Sequence, residues 1–129
     1  MKNVFIIVFL SLSLAVKAQI KINDKLECSW LEYDFKTIEI GKAASCVLSV
    51  KNIDISEIYI DYLITSCKCI TAYTNTKKIK PNGSCSINIS YDTSNKSPGE
   101  IYQYVILYLS DKSTYIFGIK AKLEVAHHK

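Results

Sequence analysis

Arginine is missing from this 129-residue chain, and glycine, proline and histidine are scarce. All 16 basic residues are lysines, and the chain holds only 4 glycines, 2 prolines and 2 histidines. Because the bidentate guanidinium is the usual reader of phosphates and base edges, its absence argues against a nucleic-acid-binding protein. The scarcity of glycine and proline, together with 49% apolar residues, excludes a collagenous or low-complexity chain.

Sequence motifs of catalysis are missing as well. Both histidines, His127 and His128, stand at the end of the chain, away from every candidate nucleophile in the sequence. The sequence contains no Gly-x-Ser-x-Gly elbow, no glycine-rich phosphate loop and no His-Glu-x-x-His motif. We therefore expect no catalytic residues, no enzymatic activity and no cofactor.

The apolar runs are too short for a membrane-spanning helix, which needs about 20 residues. The longest covers residues 4–16, follows Lys2 and precedes Ala18. One positive charge, about a dozen apolar residues and a small residue at the cut site are typical of a secretory signal peptide. We predict a signal peptide over 1–18 and a mature domain over 19–129, with no membrane insertion after cleavage. The predicted location is the periplasm or the extracellular space.

The predicted mature domain carries little net charge. Cleavage after residue 18 removes two lysines and leaves 14, against 12 acidic residues, for a net charge of +2. A charge this small and evenly spread predicts neither nucleic acid nor an anionic membrane surface as a partner.

The mature chain has the residue pattern of β-strands. Tyrosine and β-branched residues dominate its apolar content, and no segment keeps a 3.6-residue apolar period for three turns. Turn sequences such as Pro81-Asn82-Gly83 separate the apolar segments at intervals of about 8–12 residues. We predict a single all-β domain, a β-sandwich of about seven strands with its core over about 29–125. The predicted strands are 29–33 with 37–40, 45–52, 57–65, 69–73, 84–92, 100–110 and 114–124.

Short motifs in a fixed order resemble a known family. They are Phe35-x-x-Ile38-x-x-Gly41, Ser66-Cys67-Lys68-Cys69, Ile79-x-Pro81-x-Gly83, Ile87-x-Ile89-x-Tyr91-Asp92 and Pro98-Gly99. In this order they resemble the bacterial secreted domain-of-unknown-function family 1573, which is similar to abnormal-spindle/Hydin and major sperm protein domains. The resemblance implies an immunoglobulin-like fold and a cell-envelope context, and it implies no reaction. Lys68 stands where the family usually has glycine.

The five cysteines, Cys28, Cys46, Cys67, Cys69 and Cys85, are the disulfide candidates. In an exported protein they meet an oxidising environment, and their odd number leaves at least one unpaired. Strand order in a sandwich places Cys46 near Cys67 and Cys69, and places Cys28 and Cys85 towards the opposite end. We expect a bridge from Cys46 to Cys67 or Cys69 and a second one between Cys28 and Cys85. Each requires a Cα separation below about 7 Å.

Cys67 and Cys69 allow three interpretations. Residues i and i+2 of an extended chain point the same way, so both thiols could bind a soft metal such as copper(I) or zinc. They could also form a labile redox pair, because a Cys-x-Cys bridge closes a small ring, and Lys68 could favour a thiolate. The sequence favours a third interpretation, in which one bridges elsewhere and the other is buried or idle. No histidine or second close cysteine pair in the sequence completes a four-ligand zinc site.

Tyrosines cluster on two predicted strands. Tyr102, Tyr104 and Tyr108 share one face of a long strand, and Tyr59 and Tyr62 lie on another. An exposed tyrosine stripe suits glycan stacking or a protein contact. In sandwiches, such residues more often flank the core or brace a neighbouring strand, and we favour that interpretation.

Together these features favour an exported, non-catalytic immunoglobulin-like module of the bacterial cell envelope that acts through protein–protein contact. Its edge strands could accept a strand from a partner. Two alternatives stay open. One is a thiol-based metal-binding or redox protein that uses Cys67 and Cys69, and the other is a small secreted inhibitor or immunity protein.

Overall fold

The structure is a computed structural model and describes residues 19–126, in which ten β-strands form and no helix is present. Within this range no helix could cross a membrane. The strands are β1 (Ile20–Lys21), β2 (Leu26–Cys28), β3 (Glu32–Glu39), β4 (Ala43–Asn52), β5 (Ile58–Thr65), β6 (Ile70–Thr74), β7 (Lys78–Ile79), β8 (Ser84–Asp92), β9 (Gly99–Leu109) and β10 (Thr114–Glu124). The predicted signal peptide over 1–18 and the two histidines lie outside the described residues.

The all-β prediction is confirmed, and the count of seven strands is wrong. The additional strands are β1, β2 and β7, which have only two or three residues each. Strands this short are not long enough for apolar and polar residues to alternate, so no sequence pattern marks them.

The strands form two five-stranded sheets. The first has the order β1-β2-β4-β8-β6 and the second has the order β3-β10-β9-β5-β7. Every neighbouring pair is antiparallel except β3 and β10, which run parallel. From β2 to β9, successive strands alternate between the two sheets, so the chain joins the sheets at both ends of the sandwich.

Alternation along the strands builds one core between the sheets. On β8, every second residue from Cys85 to Tyr91 is buried, and on β9 every second residue from Val105 to Leu109 is buried. Tyr91 and Phe117 are the largest fully buried side chains. Full burial of an apolar side chain of this kind stabilises the fold by roughly 1.5–3 kcal/mol.

A buried asparagine ties the loops at one end of the sandwich together. The Asn52 side-chain amide donates hydrogen bonds of 2.8 Å to the carbonyl oxygens of Ser56 and Ile79. Its oxygen accepts the Asp54 N–H at 2.8 Å. The buried side chain is thus satisfied on both its donor and acceptor sides, and it fixes the path from β4 into β5.

The first long strand is continuous where the sequence predicts a break. β3 runs through the predicted gap, and Lys36 there has a left-handed φ of 65°. The Lys36 N–H is held by the Asp34 carboxylate at 2.8 Å, and the pairing of β3 with β10 shifts register between Lys120 and Lys122. The apparent break is therefore a β-bulge inside one strand.

Candidate functional site

The Cys67–Cys69 loop connects the two sheets, because it runs from the end of β5 in the second sheet to the start of β6, an edge strand of the first sheet. The two sulfurs are bonded to each other, and their Cα atoms lie 5.1 Å apart. The Thr65 hydroxyl lies 2.9 Å from the Cys67 carbonyl oxygen and 3.1 Å from that of Ile70. The Cys69 carbonyl accepts the Asp92 N–H at 2.8 Å. The loop is thereby fixed to the sandwich from both sides.

The two sulfurs of this loop have different surroundings. Cys67 Sγ accepts the Cys69 N–H at 3.1 Å and lies 3.5 Å from the Lys96 ammonium nitrogen. Cys69 instead packs against the hydrophobic core. Cys67 Sγ therefore lies in polar, positively charged surroundings, and Cys69 lies in apolar surroundings.

A turn after β8 places Lys96 against Cys67. The buried Thr93 hydroxyl accepts the Gly41 N–H at 2.9 Å and donates to the Lys42 carbonyl at 2.6 Å. Asn95 then takes a left-handed φ of 64°, and the Lys96 N–H donates to the Thr93 carbonyl at 3.2 Å. The turn folds back on itself, so the half-buried Lys96 side chain reaches the Cys67–Cys69 loop.

Asp92 provides a negative charge beside the same lysine. Hydrogen bonds from Ser94 to its carboxylate hold the pKa of Asp92 below its usual value, and the nearby Lys96 ammonium adds to the effect. Lys96 therefore has an anionic neighbour on one side and the Cys67 sulfur on the other.

The expected bridge between Cys46 and the Cys67–Cys69 loop is wrong. Cys46 lies opposite Ile89 on β8, whereas Cys69 lies on the far side of β8, opposite Asp92. Cys46 and Cys69 are thus separated by the whole of β8 and by a further three residues along the strands. Cys67 bonds to Cys69 instead.

The expected bridge between Cys28 and Cys85 is also wrong, although the two residues lie at the same level. Val50 of β4 pairs with Cys28 on one side and with Cys85 on the other. Two strand spacings put the Cα atoms about 10 Å apart, beyond the reach of a disulfide. Both thiols are buried and unbonded.

The three unbonded thiols are poor candidates for chemistry. Burial raises the pKa of Cys46 to about 11 and also raises the pKa values of Cys28 and Cys85. Hydrogen bonds from Trp30 and Thr74 oppose the effect at Cys28 and Cys85 respectively. A protonated thiol is neither a good nucleophile nor a metal ligand. Among residues 19–126, no three histidine, cysteine or acidic side chains come together as a metal site.

A second candidate surface lies on the outer face of the second sheet. Ile106 on β9 pairs with Ile64 on β5 and with Ile116 on β10, so three isoleucines form a row across the sheet. Tyrosines flank this row on both sides along the strands, with Tyr62 and Tyr108 on one side and Tyr102 and Tyr104 on the other. We call this surface the Ile–Tyr face, and it consists of Ile64, Ile106, Ile116, Tyr62, Tyr102, Tyr104 and Tyr108.

The Ile–Tyr face is exposed to solvent. Ile116 is 59% exposed, and Ile64 and Tyr104 are each 42% exposed. The rings of Tyr62 and Tyr108 stack with centroids 4.6 Å apart, and those of Tyr102 and Tyr104 meet edge to face at 5.2 Å. The face is therefore a pre-ordered apolar surface.

The predicted tyrosine positions are confirmed in part. Tyr102, Tyr104 and Tyr108 do share one face of β9, and Tyr62 does brace the neighbouring strand by stacking on Tyr108. Tyr59 lies apart and donates a hydrogen bond to Glu57 at 2.7 Å. The isoleucine row was not predicted, because only the strand register brings its three members together.

A cleft of about 420 Å³ opens at one end of the sandwich, between the loops around β5 and β9. Most of its charged groups are paired. Lys25 lies 3.4 Å from Asp111, and Glu57 pairs with Lys78 at 3.7 Å while accepting the Tyr59 hydroxyl. These pairings occupy its lysine and two of its three carboxylates, which makes the cleft a weaker candidate than the Ile–Tyr face.

Several solved structures are similar to this chain in fold. A protein of unknown function from Porphyromonas gingivalis W83 has a TM-score of 0.62 at 18% identity, over 78% of this chain and 46% of its own. A family 123 glycoside hydrolase from Clostridium perfringens has a TM-score of 0.64 at 12% identity, over 76% of this chain and 24% of its own. The chain thus spans less than half of either protein. An ASH/PapD-like domain of human CEP192 has a TM-score of 0.61 at 15% identity, over 90% of this chain and 97% of its own.

Identities this low relate these proteins by fold alone. No curated protein matches the chain in sequence. The family model described as protein of unknown function (DUF1573) matches residues 26–123, which is nearly all of the two sheets. This chain therefore belongs to the DUF1573 family, and its fold is the immunoglobulin-like sandwich of the PapD-like domains.

Proposed function

We propose that this chain is an exported, non-catalytic module of the bacterial cell envelope that binds another protein through the Ile–Tyr face. The observation that carries the proposal is the row of Ile64, Ile106 and Ile116, which lies on the solvent side of the sheet with tyrosines on both sides of it. Protein interfaces have this composition, with an apolar centre, tyrosines around it and few charges at the core.

The chemistry of the face favours a protein over a glycan. Aliphatic isoleucine side chains at the centre offer no hydrogen-bonding group to a sugar hydroxyl. The Tyr62 and Tyr108 rings stack on each other, so each uses one ring surface that a sugar would otherwise cover. The partner that fits is a protein with a flat, apolar, weakly charged surface.

Export is supported by the first 18 residues of the sequence, which have the order of a signal peptide: a lysine, an apolar run and a small residue at the cut site. Mass spectrometry of the protein recovered from the envelope fraction tests this part. We expect a mass that begins at residue 19. A full-length protein that stays in the cytoplasm would contradict export.

Photo-crosslinking in living cells tests the contact. A benzoylphenylalanine replaces Tyr104 on the Ile–Tyr face or, as a matched control, Tyr73, which is 60% exposed on the other sheet. We expect one discrete heterologous adduct from position 104 and none from position 73. Equal adducts at both positions, or a product with the mass of two copies of this chain, would overturn the proposal.

The partner protein identified in the adduct is then purified, and its binding to this chain is measured to complete the test. Ile116→Lys places a charge at the centre of the face, and Val47→Lys places one at a site on the other sheet that is 50% exposed. We expect Ile116→Lys to weaken binding by at least tenfold, and Val47→Lys to change it less than twofold, because buried interface centres exclude unpaired charge. Equal effects of the two variants would show that the contact lies elsewhere.

A further inference from the structure

We propose that Cys67 and Cys69 form a thiol–disulfide exchange site, in which Cys67 is the sulfur that reacts with a partner disulfide and Lys96 is its positioning residue. The site lies on the loop between β5 and β6 and uses none of the residues of the Ile–Tyr face. The inference is therefore independent of the proposed protein contact.

The different surroundings of the two sulfurs assign the roles. A thiolate on Cys67 would receive the Cys69 N–H, now 3.1 Å from Sγ, and the Lys96 ammonium, now 3.5 Å away. Charge-assisted hydrogen bonds and a nearby cation are the features that make a cysteine reactive. Cys69 packs against the core, and a thiolate there has no cation in contact with it in the described structure. Cys67 is therefore the nucleophile and Cys69 is the resolving thiol.

A structural role for this bond is disfavoured by the length of the loop that it closes. Only one residue, Lys68, stands between the two cysteines. A disulfide stabilises a fold mainly by restricting the unfolded chain, and the restriction is smallest for the shortest loops. The loop itself is already fixed by the hydrogen bonds of Thr65 and Asp92. The bond can therefore open and close without changing the sandwich.

The reaction conserves atoms and electrons when a disulfide of a partner protein or a small molecule is the oxidant. The Cys67 thiolate attacks one sulfur of that disulfide, forms a mixed disulfide and releases the other sulfur as a thiolate. Cys69 then loses its proton and attacks Cys67 Sγ, which closes the intramolecular bond and releases the second thiolate. Two electrons pass to the oxidant, and two protons end on its two thiols. The reverse sequence reduces the pair.

The charges around Cys67 leave Lys96 as the activating group. Lys68 is exposed on the loop, and no hydrogen bond from its side chain to either sulfur is present among the described residues. Asp92 is the anionic neighbour of Lys96, and its negative charge partly offsets the positive potential of the Lys96 ammonium. Cys46, Cys28 and Cys85 do not compete, because the first is two strands away and the other two are buried.

Reaction of the reduced protein with 5,5′-dithiobis(2-nitrobenzoate) tests the assignment. The protein carries Cys46→Ser to remove the partly exposed third thiol. We expect a fast release of two equivalents of thionitrobenzoate, since attack and ring closure each release one. Cys69→Ser should stop after one equivalent with the reagent held on Cys67, and Cys67→Ser should abolish the fast phase. A stable adduct on Cys69 in the Cys67→Ser protein at an unchanged rate would reverse the roles and overturn the proposal.

Lysine variants test the positioning role. We expect Lys96→Met to slow the reaction at pH 7 by about tenfold and to shift its pH profile upward by about one unit, because one unit corresponds to a tenfold change in the thiolate fraction. Lys96→Arg should restore most of the rate. Lys68→Met is the matched control and should change the rate less than twofold. Lys96→Gln provides a second neutral side chain, and circular dichroism confirms the fold of each variant. An unchanged pH profile in Lys96→Met and Lys96→Gln, or an equal effect of Lys68→Met, would overturn the role of Lys96.

Discussion

The hydroxyl of Tyr102 occupies the space into which a side chain at Gly118 would project. A Cβ atom built on Gly118 would lie 2.5 Å from the Tyr102 hydroxyl oxygen. The tyrosine leans across β10 in this way to donate a hydrogen bond to the carboxylate of Glu32 on β3. A glycine on β10 therefore allows one side chain of β9 to reach a strand that is not its neighbour.

Gly118→Ala should displace the Tyr102 ring and break its hydrogen bond to Glu32. We expect the free energy of unfolding to fall by about 1 kcal/mol, the usual value of such a bond. In a Tyr102→Ala background the same substitution should be neutral or stabilising, because the clash is gone and alanine orders a strand more readily than glycine. Urea denaturation of the four proteins measures the difference. If Gly118→Ala lowered the free energy of unfolding equally with Tyr102 present and with Tyr102→Ala, Tyr102 would not restrict position 118.

Tyr91→Phe should stabilise the protein. The Tyr91 side chain is fully buried, and its hydroxyl finds no hydrogen-bond partner among the described residues. Because an unsatisfied buried hydroxyl is costly, its removal should raise the free energy of unfolding by about 1 kcal/mol. Thermal or urea denaturation measures the change. Tyr115→Phe is the control, since it removes a hydroxyl that accepts a hydrogen bond from Asn23, and it should be neutral or slightly destabilising. A loss of stability in Tyr91→Phe would contradict the unpaired state of that hydroxyl.

The bond between Cys67 and Cys69 should contribute little to stability. The chain-entropy relation gives less than about 2 kcal/mol for a loop as short as this one. In urea denaturation, we expect the free energy of unfolding of the double variant Cys67→Ser/Cys69→Ser to fall by no more than this. Reduction of the unsubstituted protein with dithiothreitol should lower its free energy of unfolding by a similar amount. A loss above about 3 kcal/mol would mean that the bond holds the sandwich together.

Cys46 should make stability depend on pH in the alkaline range. Burial raises its pKa in the folded protein from 9.0 to about 11, so between these values the unfolded chain has lost a proton that the folded chain keeps. Unfolding then releases a proton. The contribution of Cys46 to the free energy of unfolding is therefore fully present below pH 9 and is lost as the pH rises towards 11. The stability of the unvaried protein relative to Cys46→Ser should therefore decrease over this range. All other groups are common to the two proteins, so their contributions cancel in the comparison.

Most of the fold could be predicted from the alternation of residue types. The strand predicted at 84–92 agrees with β8, whose alternate residues from Cys85 to Tyr91 are buried, and the strand at 114–124 agrees with β10. The bulge at Lys36 was mistaken for a break, because a left-handed residue inside a strand interrupts the pattern without ending the pairing.

The errors in the site have a common physical cause. Alternation tells which face of a strand a side chain occupies, and it does not tell which strand lies beside it. Cys28 and Cys85 were placed at one end of the sandwich, but the order of the sheet puts Val50 between them. The contact of Lys96 with Cys67 depends on two turns that are distant in sequence, so no local motif could predict it.

The parallel pairing of β3 with β10 has a consequence for the order of folding. β3 is completed early in the sequence, whereas the strand that pairs with it, Thr114–Glu124, is the last of the described strands. β9 also depends on β10 for one of its two neighbours. The second sheet therefore cannot be completed before the last strand is available, and contacts between such distant segments slow folding. A ribosome or a translocation channel that holds the final strand would leave β3 without its partner, and release of that strand would set the moment at which the second sheet is completed.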